Sequence, residues 1–217
     1  MAKSKTPSFE KEKIGRVRLG IKLKSIFWPI DRNGISEVLA KLNYKDMRIS
    51  PEGSFSAGKH NVEFYSGYSK LIFGFYADTV NTAIESQKEF FSVVQREYKT
   101  DLSKYVQFYE IEFISTVITD NNVYELYSNL FDDAELKKKF EYIVGENLQI
   151  NKLEFTKKGQ NVQDDNWFSI ELSPKVESGG NAYFCRIVKR NRESQPAYDS
   201  LRKASEIVDK LINEIEK

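Results

Sequence analysis

One order of elements occurs twice along this chain, and this repetition constrains the fold more than any other feature of the sequence. The first occurrence, residues 16–99, predicts a strand, a helix, three strands and a long helix. The second, residues 106–217, predicts a strand, two short helices, three strands and a long helix. Apolar residues recur every second position in the strands and with helical spacing in the helices. A duplicated unit of this kind favours one continuous sheet with a pseudo-twofold axis.

The first unit opens with an alternating segment. Val17, Leu19, Ile21 and Leu23 alternate with Arg18, Gly20 and Lys22, which predicts a strand with one buried face. After a short helix, strands are predicted near residues 45–49, 61–65 and 70–77, and the Gly/Ser-rich residues 53–60 are predicted to form a hairpin loop. A long helix should begin at Asp78 or Thr79, either of which can cap it.

The second unit repeats these signals with one addition. Tyr109, Ile111 and Phe113 alternate with Glu110 and Glu112, which again predicts a half-buried strand. Two short helical stripes follow, through residues 123–130 and 136–143, before Gly145 ends the second. Strands are predicted near residues 148–155, 167–172 and 182–188, and a final helix from about residue 195.

These patterns predict an α+β fold in which an internally duplicated strand-helix-meander-helix unit forms a curved, mainly antiparallel sheet with its helices on one face. In this order of elements the chain resembles the TATA-binding-protein-like and helix-grip arrangements, which implies a curved sheet gripping a helix. We expect residues 1–15 to be a flexible basic segment, and residues 16–100 and 101–217 to be the two units of one compact domain.

Conventional enzyme chemistry has little support in the sequence. His60 is the only histidine and Cys185 the only cysteine, so the common nucleophilic dyads and zinc ligand sets are largely excluded. Residues 53–60 are similar in spacing to a phosphate-binding loop, but His60 replaces the required hydroxyl residue. We therefore expect no catalytic residues, no cofactor and no metal. The single cysteine fits a reducing compartment, and the short apolar runs predict no membrane span, so the expected location is the cytoplasm.

The charge is distributed unevenly. Residues 1–100 hold 17 Lys and Arg against 11 Asp and Glu, whereas residues 101–217 hold 16 against 21. Two groups of basic residues stand out, one on the exposed face of the first strand and one at the end of the last strand. They are the predicted partner-binding residues: Arg16, Arg18, Lys22, Lys24, Arg186, Lys189, Arg190 and Arg192.

These basic residues have two interpretations. With aromatic neighbours they suit binding of nucleic acid through its phosphates. If the first strands of the two units lie side by side, however, Glu110 and Glu112 face Arg18 and Lys22 as cross-strand ion pairs. The sequence pI of about 7.7 is also lower than that of a typical nucleic-acid-binding domain.

The sequence therefore favours a non-enzymatic interaction protein that docks a protein partner, or a second copy of itself, through its sheet surface or basic rim. Nucleic-acid binding by the basic strands is the first alternative. The second is a pocket for a small molecule or lipid between the sheet and the long helix. It is indicated by the aromatic residues Phe73, Phe75, Tyr76, Trp167 and Phe168.

Overall fold

A computed structural model gives the fold of residues 14–25, 32–51, 54–67, 71–131, 135–148, 151–175 and 181–216. Within these residues the strands are β1 Ile14–Leu23, β2 Lys45–Ile49, β3 Ser54–Lys59, β4 Val62–Gly67, β5 Ile72–Ala77, β6 Val106–Ile118, β7 Leu153–Thr156, β8 Phe168–Pro174 and β9 Ala182–Asn191. The helices are α1 Arg32–Lys41, α2 Val80–Tyr98, α3 Val123–Phe131, α4 Glu135–Val144 and α5 Ser194–Ile215. The predicted flexible segment 1–15 lies, up to residue 13, outside the described residues.

All nine strands belong to one sheet, in the order β2-β3-β4-β5-β1-β6-β9-β8-β7, and every neighbouring pair is antiparallel. The expected α+β class with an antiparallel sheet is therefore confirmed. The first strands of the two predicted units, β1 and β6, are paired at the centre of the sheet, where Arg18 lies opposite Glu112 and Gly20 opposite Glu110.

The core lies between one face of the sheet and the long helices α2 and α5. Helix α2 buries Phe90 against the rings of Phe64, Phe73 and Phe75, at centroid distances of 5.3 to 5.9 Å. Helix α5 packs against β6 and β9, and its Tyr198 hydroxyl hydrogen-bonds to Gln87 of α2. Both helices therefore cover the same face. We call the opposite face of the sheet the open face.

The Gly/Ser-rich segment was wrongly predicted to be a loop. Ser54–Lys59 forms β3, and Lys59 pairs with Val62, so the turn is confined to His60 and Asn61. His60 adopts a positive φ of 49° in this turn. The strand forms because Phe55 and Ala57 alternate into the core while small serines and a glycine occupy the open face. A strand at this position does not provide the loop and helix N-terminus that a phosphate-binding loop requires.

The apolar stripe of α4 differs from the predicted core stripe. Phe140 is 50% exposed and Ile143 is 74% exposed, although their spacing is helical. In α3, by contrast, Val123 and Tyr127 are fully buried, and the Tyr127 ring lies 6.3 Å from that of Tyr183 on β9. Helical spacing predicted both helices correctly, but it did not predict whether the apolar side of each helix is buried.

Helices α1 and α2 are linked by an ion pair with a measurable consequence. Lys41 Nζ lies 2.5 Å from one carboxylate oxygen of Glu97, and Arg96 Nε lies 2.8 Å from the other. The hydrogen bond from Lys41, followed by that from Arg96, lowers the pKa of Glu97 from its ordinary 4.5 to about 2. A lowered pKa means that the pair favours the folded state above about pH 4.5, and that this contribution is lost as the pH falls through about 2.

We expect an NMR titration of the Glu97 side chain to give a midpoint near 2, and Lys41→Met to move it upwards, towards 4.5. Lys88→Met, on the same helix but outside this pair, should leave the midpoint unchanged. A Glu97 midpoint that is the same with and without the Lys41 ammonium group would contradict the assignment.

Candidate functional site

The open face carries most of the charged residues that the strand patterns predicted to be exposed. Arg16, Arg18 and Lys22 alternate with core residues on β1, and Glu110 and Glu112 do the same on β6. Arg186 and Arg190 occupy equivalent positions on β9, next to β6. Because three adjacent central strands contribute, these charges lie close together.

Five of these side chains form one connected network, which we call the central ion-pair network. Arg18 of β1 pairs with Glu110 and, at 2.9 Å, with Glu112. On the other side, Arg186 Nε lies 2.6 Å from Glu112 and Arg190 Nε lies 2.6 Å from Glu110. Each carboxylate therefore bridges two guanidinium groups from different strands, and the network has one net positive charge.

The network is partly buried. The side chain of Glu110 is 8% exposed, that of Glu112 is 10% exposed and that of Arg18 is 16% exposed. Burial acts to lower the pKa of Arg18, but the electrostatic effects of Tyr65 and the two glutamates outweigh it, so the pKa is raised and the guanidinium stays charged. Charges in this environment are held in one geometry and do not behave as mobile surface groups.

Arg190 is fixed from several directions. Its guanidinium lies 4.8 Å from the ring centroid of Phe108 and 5.2 Å from that of Trp167, and it donates a hydrogen bond to the Val162 carbonyl oxygen. The β7–β8 connection that contains Val162 and Trp167 therefore covers this end of the network.

Tyr65 of β4 packs over the centre of the sheet because two glycines make room for it. Gly20 and Gly74 are direct partners across β1 and β5, and a Cβ on either residue would lie 2.8 Å from the Tyr65 hydroxyl oxygen. That hydroxyl is buried and has no hydrogen-bond partner among the described residues. Burial raises the pKa of Tyr65 above its ordinary range, so the phenol remains protonated at neutral pH.

A large cleft lies beside Tyr65 on the open face. Its volume is about 1140 Å³, which exceeds that of most small-molecule pockets. It is lined by Arg18, Lys22, Arg48, Ile49, Ser50, Ser54, Phe55, Ser56, Tyr65, Ser66, Gly67, Ile72, Tyr76, Phe108, Glu110 and Arg190. We call it the open-face cleft. Residues from the edge strand β2 and from β9 line the same space, so the open face is concave.

The lining of the open-face cleft is basic. Four cationic side chains and one carboxylate line it, which gives a formal excess of three positive charges. The one carboxylate, Glu110, is already bound by two arginines. The field inside the cleft therefore favours an anionic ligand.

Arg48 occupies a separate position within the cleft. It projects from the exposed edge strand β2, and it also lines an adjoining cavity of about 450 Å³ with Ser56 and Tyr76. Among the described residues, the Arg48 side chain forms no hydrogen bond or ion pair. No sequence pattern marks this residue, because a single arginine in a short strand resembles any other exposed cation.

The structure brings together only part of the predicted partner-binding set. Arg18, Arg186 and Arg190 belong to the central ion-pair network, and Lys22 lines the cleft. Arg16 pairs with Glu63 at 2.7 Å.

The other three predicted residues lie elsewhere. Lys24 Nζ donates to the Lys104 carbonyl oxygen, and Arg192 pairs with Asp165 at 3.2 Å. Lys189 points towards α5, where it lines a cavity of about 200 Å³ on the helix-covered face.

The aromatic residues predicted to line a pocket between sheet and helix are divided between the two faces. Phe73 and Phe75 are core residues with at most 1% exposure. Tyr76 lies on the open face under Arg16, and Trp167 contacts Arg190 there. Phe168 lines the small cavity beside α5.

Cys185 and His60 do not form a catalytic pair. Cys185 is fully buried on the helix-covered face, whereas His60 is exposed in the turn between β3 and β4. Among the described residues, no group of three or more His, Cys, Asp or Glu side chains has a geometry that could hold a metal ion. No helix in the described part of the chain is long and apolar enough to cross a membrane.

In comparisons with known proteins, no family model matches this chain and no curated protein matches it.

Proposed function

We propose that this protein is a non-enzymatic interaction protein that docks a protein partner in the open-face cleft. The observation that carries the proposal is the cleft itself: about 1140 Å³, concave, and lined with three excess positive charges. The central ion-pair network holds one wall of the cleft in a fixed geometry, which reduces the conformational cost of binding.

We also infer that the chain is internally duplicated. The strand order supports this inference, because β5-β1 and β9-β6 are equivalent pairs on either side of the sheet centre. In each unit the first strand lies at the centre and pairs with the last strand of the same unit. We further infer the TATA-binding-protein-like or helix-grip-like arrangement that the order of elements resembles, in which a curved sheet grips a helix; the single sheet with both long helices on one face supports it.

Nucleic-acid binding is the second candidate, favoured by the four cations in the cleft. One feature counts against it. Arg18 and Arg190 are already paired with Glu110, which reduces the charge available to phosphates.

A small-molecule site between sheet and helix has less support still, since the cavity beside α5 is only about 200 Å³, below the usual range for ligand pockets.

Site-specific photo-crosslinking in the native cell tests the docking site. A benzoylphenylalanine at position 54, which is exposed on the open face, should form a covalent adduct with a protein partner. The same residue at position 203, which is exposed on α5, should not. Arg48→Glu should remove the adduct at position 54.

The nature of the adduct decides between the candidates. An adduct of twice the chain mass identifies a second copy as the partner, and a nuclease-sensitive adduct identifies nucleic acid. Equal labelling at positions 54 and 203, or no labelling at either, would contradict docking in the cleft.

A further inference from the structure

We infer that the open-face cleft recognises an extended acidic segment of the partner protein, and that Arg48 binds a carboxylate of that segment. This inference rests on the proposed docking function and adds the chemistry of the docked segment. It also assigns Arg48 as a specificity-determining residue of the cleft.

The ion pairs in the wall of the cleft determine which charges remain available to a ligand. Glu110 bridges Arg18 and Arg190, so those groups largely neutralise one another within the wall of the cleft. Arg48 stands on the opposite wall, is exposed, and its side chain has no hydrogen-bond or ion-pair partner among the described residues. A guanidinium group offers paired N–H donors that match a carboxylate, which makes Arg48 the natural first contact for an acidic side chain.

The backbone around Arg48 supports this position. The pairing of β2 with β3 shifts register between Lys45 and Arg48, and Asp46 adopts a positive φ of 51°. Such a bulge re-aims the side chains that follow it. Arg48 then pairs with Ser56, a small residue that leaves the space in front of the guanidinium open.

The apolar part of the lining points to a peptide. Ile49 is 50% exposed at the rim, and Ile72 and Phe108 line the interior with the cations. A segment that carries both acidic and aliphatic side chains contacts both groups, because Ile72 and Phe108 lie directly beside Lys22 on the same face of the sheet. Nucleic acid has no aliphatic side chains to contact these residues.

The aromatic rings of the open face give a second reason to prefer a peptide. Arg16 lies 4.1 Å from the ring centroid of Tyr76, and Arg190 lies between Phe108 and Trp167. Single-stranded nucleic acids bind sheets by stacking bases on free ring faces. Here guanidinium groups already cover a face of each of these rings.

The dimensions set the length of the segment. The cleft is lined from β2 across β3, β4, β5, β1 and β6 to β9, which is six strand spacings. At about 4.8 Å each, these spacings span at most about 29 Å, or about nine extended residues. A peptide of about ten residues is therefore long enough to fill the cleft.

Fluorescence anisotropy with three labelled probes of about ten units each tests this inference on the purified full chain. The first is a peptide of alternating Glu and Leu, the second replaces every Glu with Gln, and the third is an oligothymidylate. The Glu peptide should bind at low salt, and the Gln peptide at least about tenfold more weakly. Raising the ionic strength from about 0.05 to 0.3 M should weaken binding of the Glu peptide, because the Debye length shortens.

Variants of the chain give the decisive comparison. Arg48→Glu should weaken binding of the Glu peptide at least about tenfold, whereas Arg48→Lys should weaken it less. Lys203→Glu makes the same charge change on α5 and should have no effect. Circular dichroism of each variant establishes that it is folded, and Arg48 is exposed on an edge strand, so its replacement does not disturb the core.

Two outcomes would overturn the inference: unchanged affinity of Arg48→Glu for the Glu peptide, or tighter binding of the oligothymidylate than of the Glu peptide. If adducts form at position 54 but the Glu peptide does not bind, the docking function stands and its acidic chemistry is wrong. If no adduct forms at position 54 and the Glu peptide does not bind, both proposals fail.

Discussion

Gly74→Ala is expected to lower the free energy of unfolding by about 3 kcal/mol, measured by urea denaturation. A Cβ at position 74 would overlap the Leu19 carbonyl oxygen and lie 2.8 Å from the Gly20 Cα atom. Both are backbone atoms of β1, the central strand of the sheet. Relief of this contact requires β1 and β5 to separate, and so to weaken hydrogen bonds at the middle of the fold.

Gly58→Ala is the matched control. Gly58 also lies in a strand on the open face, but a Cβ there would meet nothing within 4 Å. We expect its free energy of unfolding to change by less than about 1 kcal/mol. A comparable loss in the two variants would show that glycine content, and not the contact with β1, determines the cost.

Gly20→Ala separates the contribution of Tyr65 from that of the backbone. The closest atom to a Cβ at position 20 is the Tyr65 hydroxyl oxygen, at 2.8 Å, and the next is 3.4 Å away. Tyr65→Phe removes that oxygen, so it should restore most of the stability that Gly20→Ala loses. The same replacement should not rescue Gly74→Ala, because its backbone contacts remain.

The parts of the fold that follow from alternation and helical spacing were predictable from the sequence. The alternation in β1 and β6 placed the right residues on the core face, and Thr79 caps α2 as expected, accepting a hydrogen bond from the Thr82 amide. Strand β3 was missed because serine and glycine have low strand propensity, and its formation depends on Phe55 reaching the core.

The central ion-pair network could be predicted only in part. One of the two interpretations of the basic residues paired basic β1 with acidic β6, with Arg18 and Lys22 as the two partners. In the structure Arg18 contacts both Glu110 and Glu112, while Lys22 lies opposite Phe108. A slip of two residues keeps every side chain on its face, so the alternation cannot determine register.

The open-face cleft was not predictable from the sequence at all. It depends on the strand order and on the shape of the open face, where Arg48 of the edge strand and Arg190 of β9 line the same space. Seven strands each contribute one or a few side chains to the lining of the cleft, so no local sequence pattern marks the site. Strand order is a property of the whole sheet.

The central ion-pair network gives the second large effect: Arg18→Met is expected to lower the free energy of unfolding by about 3 kcal/mol. The variant leaves Glu110 and Glu112, at 8% and 10% exposure, with only one guanidinium partner each. Two carboxylates would then share a partly buried site with reduced compensation, and their mutual repulsion would be less well screened than at the surface.

Arg16→Met provides the matched control, because it is the same substitution two residues away on the same strand and face. Arg16 and its partner Glu63 are 56% and 48% exposed, so water already screens the pair. Even with its contact to the Tyr76 ring, we expect Arg16→Met to cost about 1 kcal/mol or less. Denaturation of both variants at low and high salt should show a large loss for Arg18→Met that persists at high salt. If the two variants instead lose equally little, the network behaves as surface charge, and the rigid wall that we assign to the cleft does not exist.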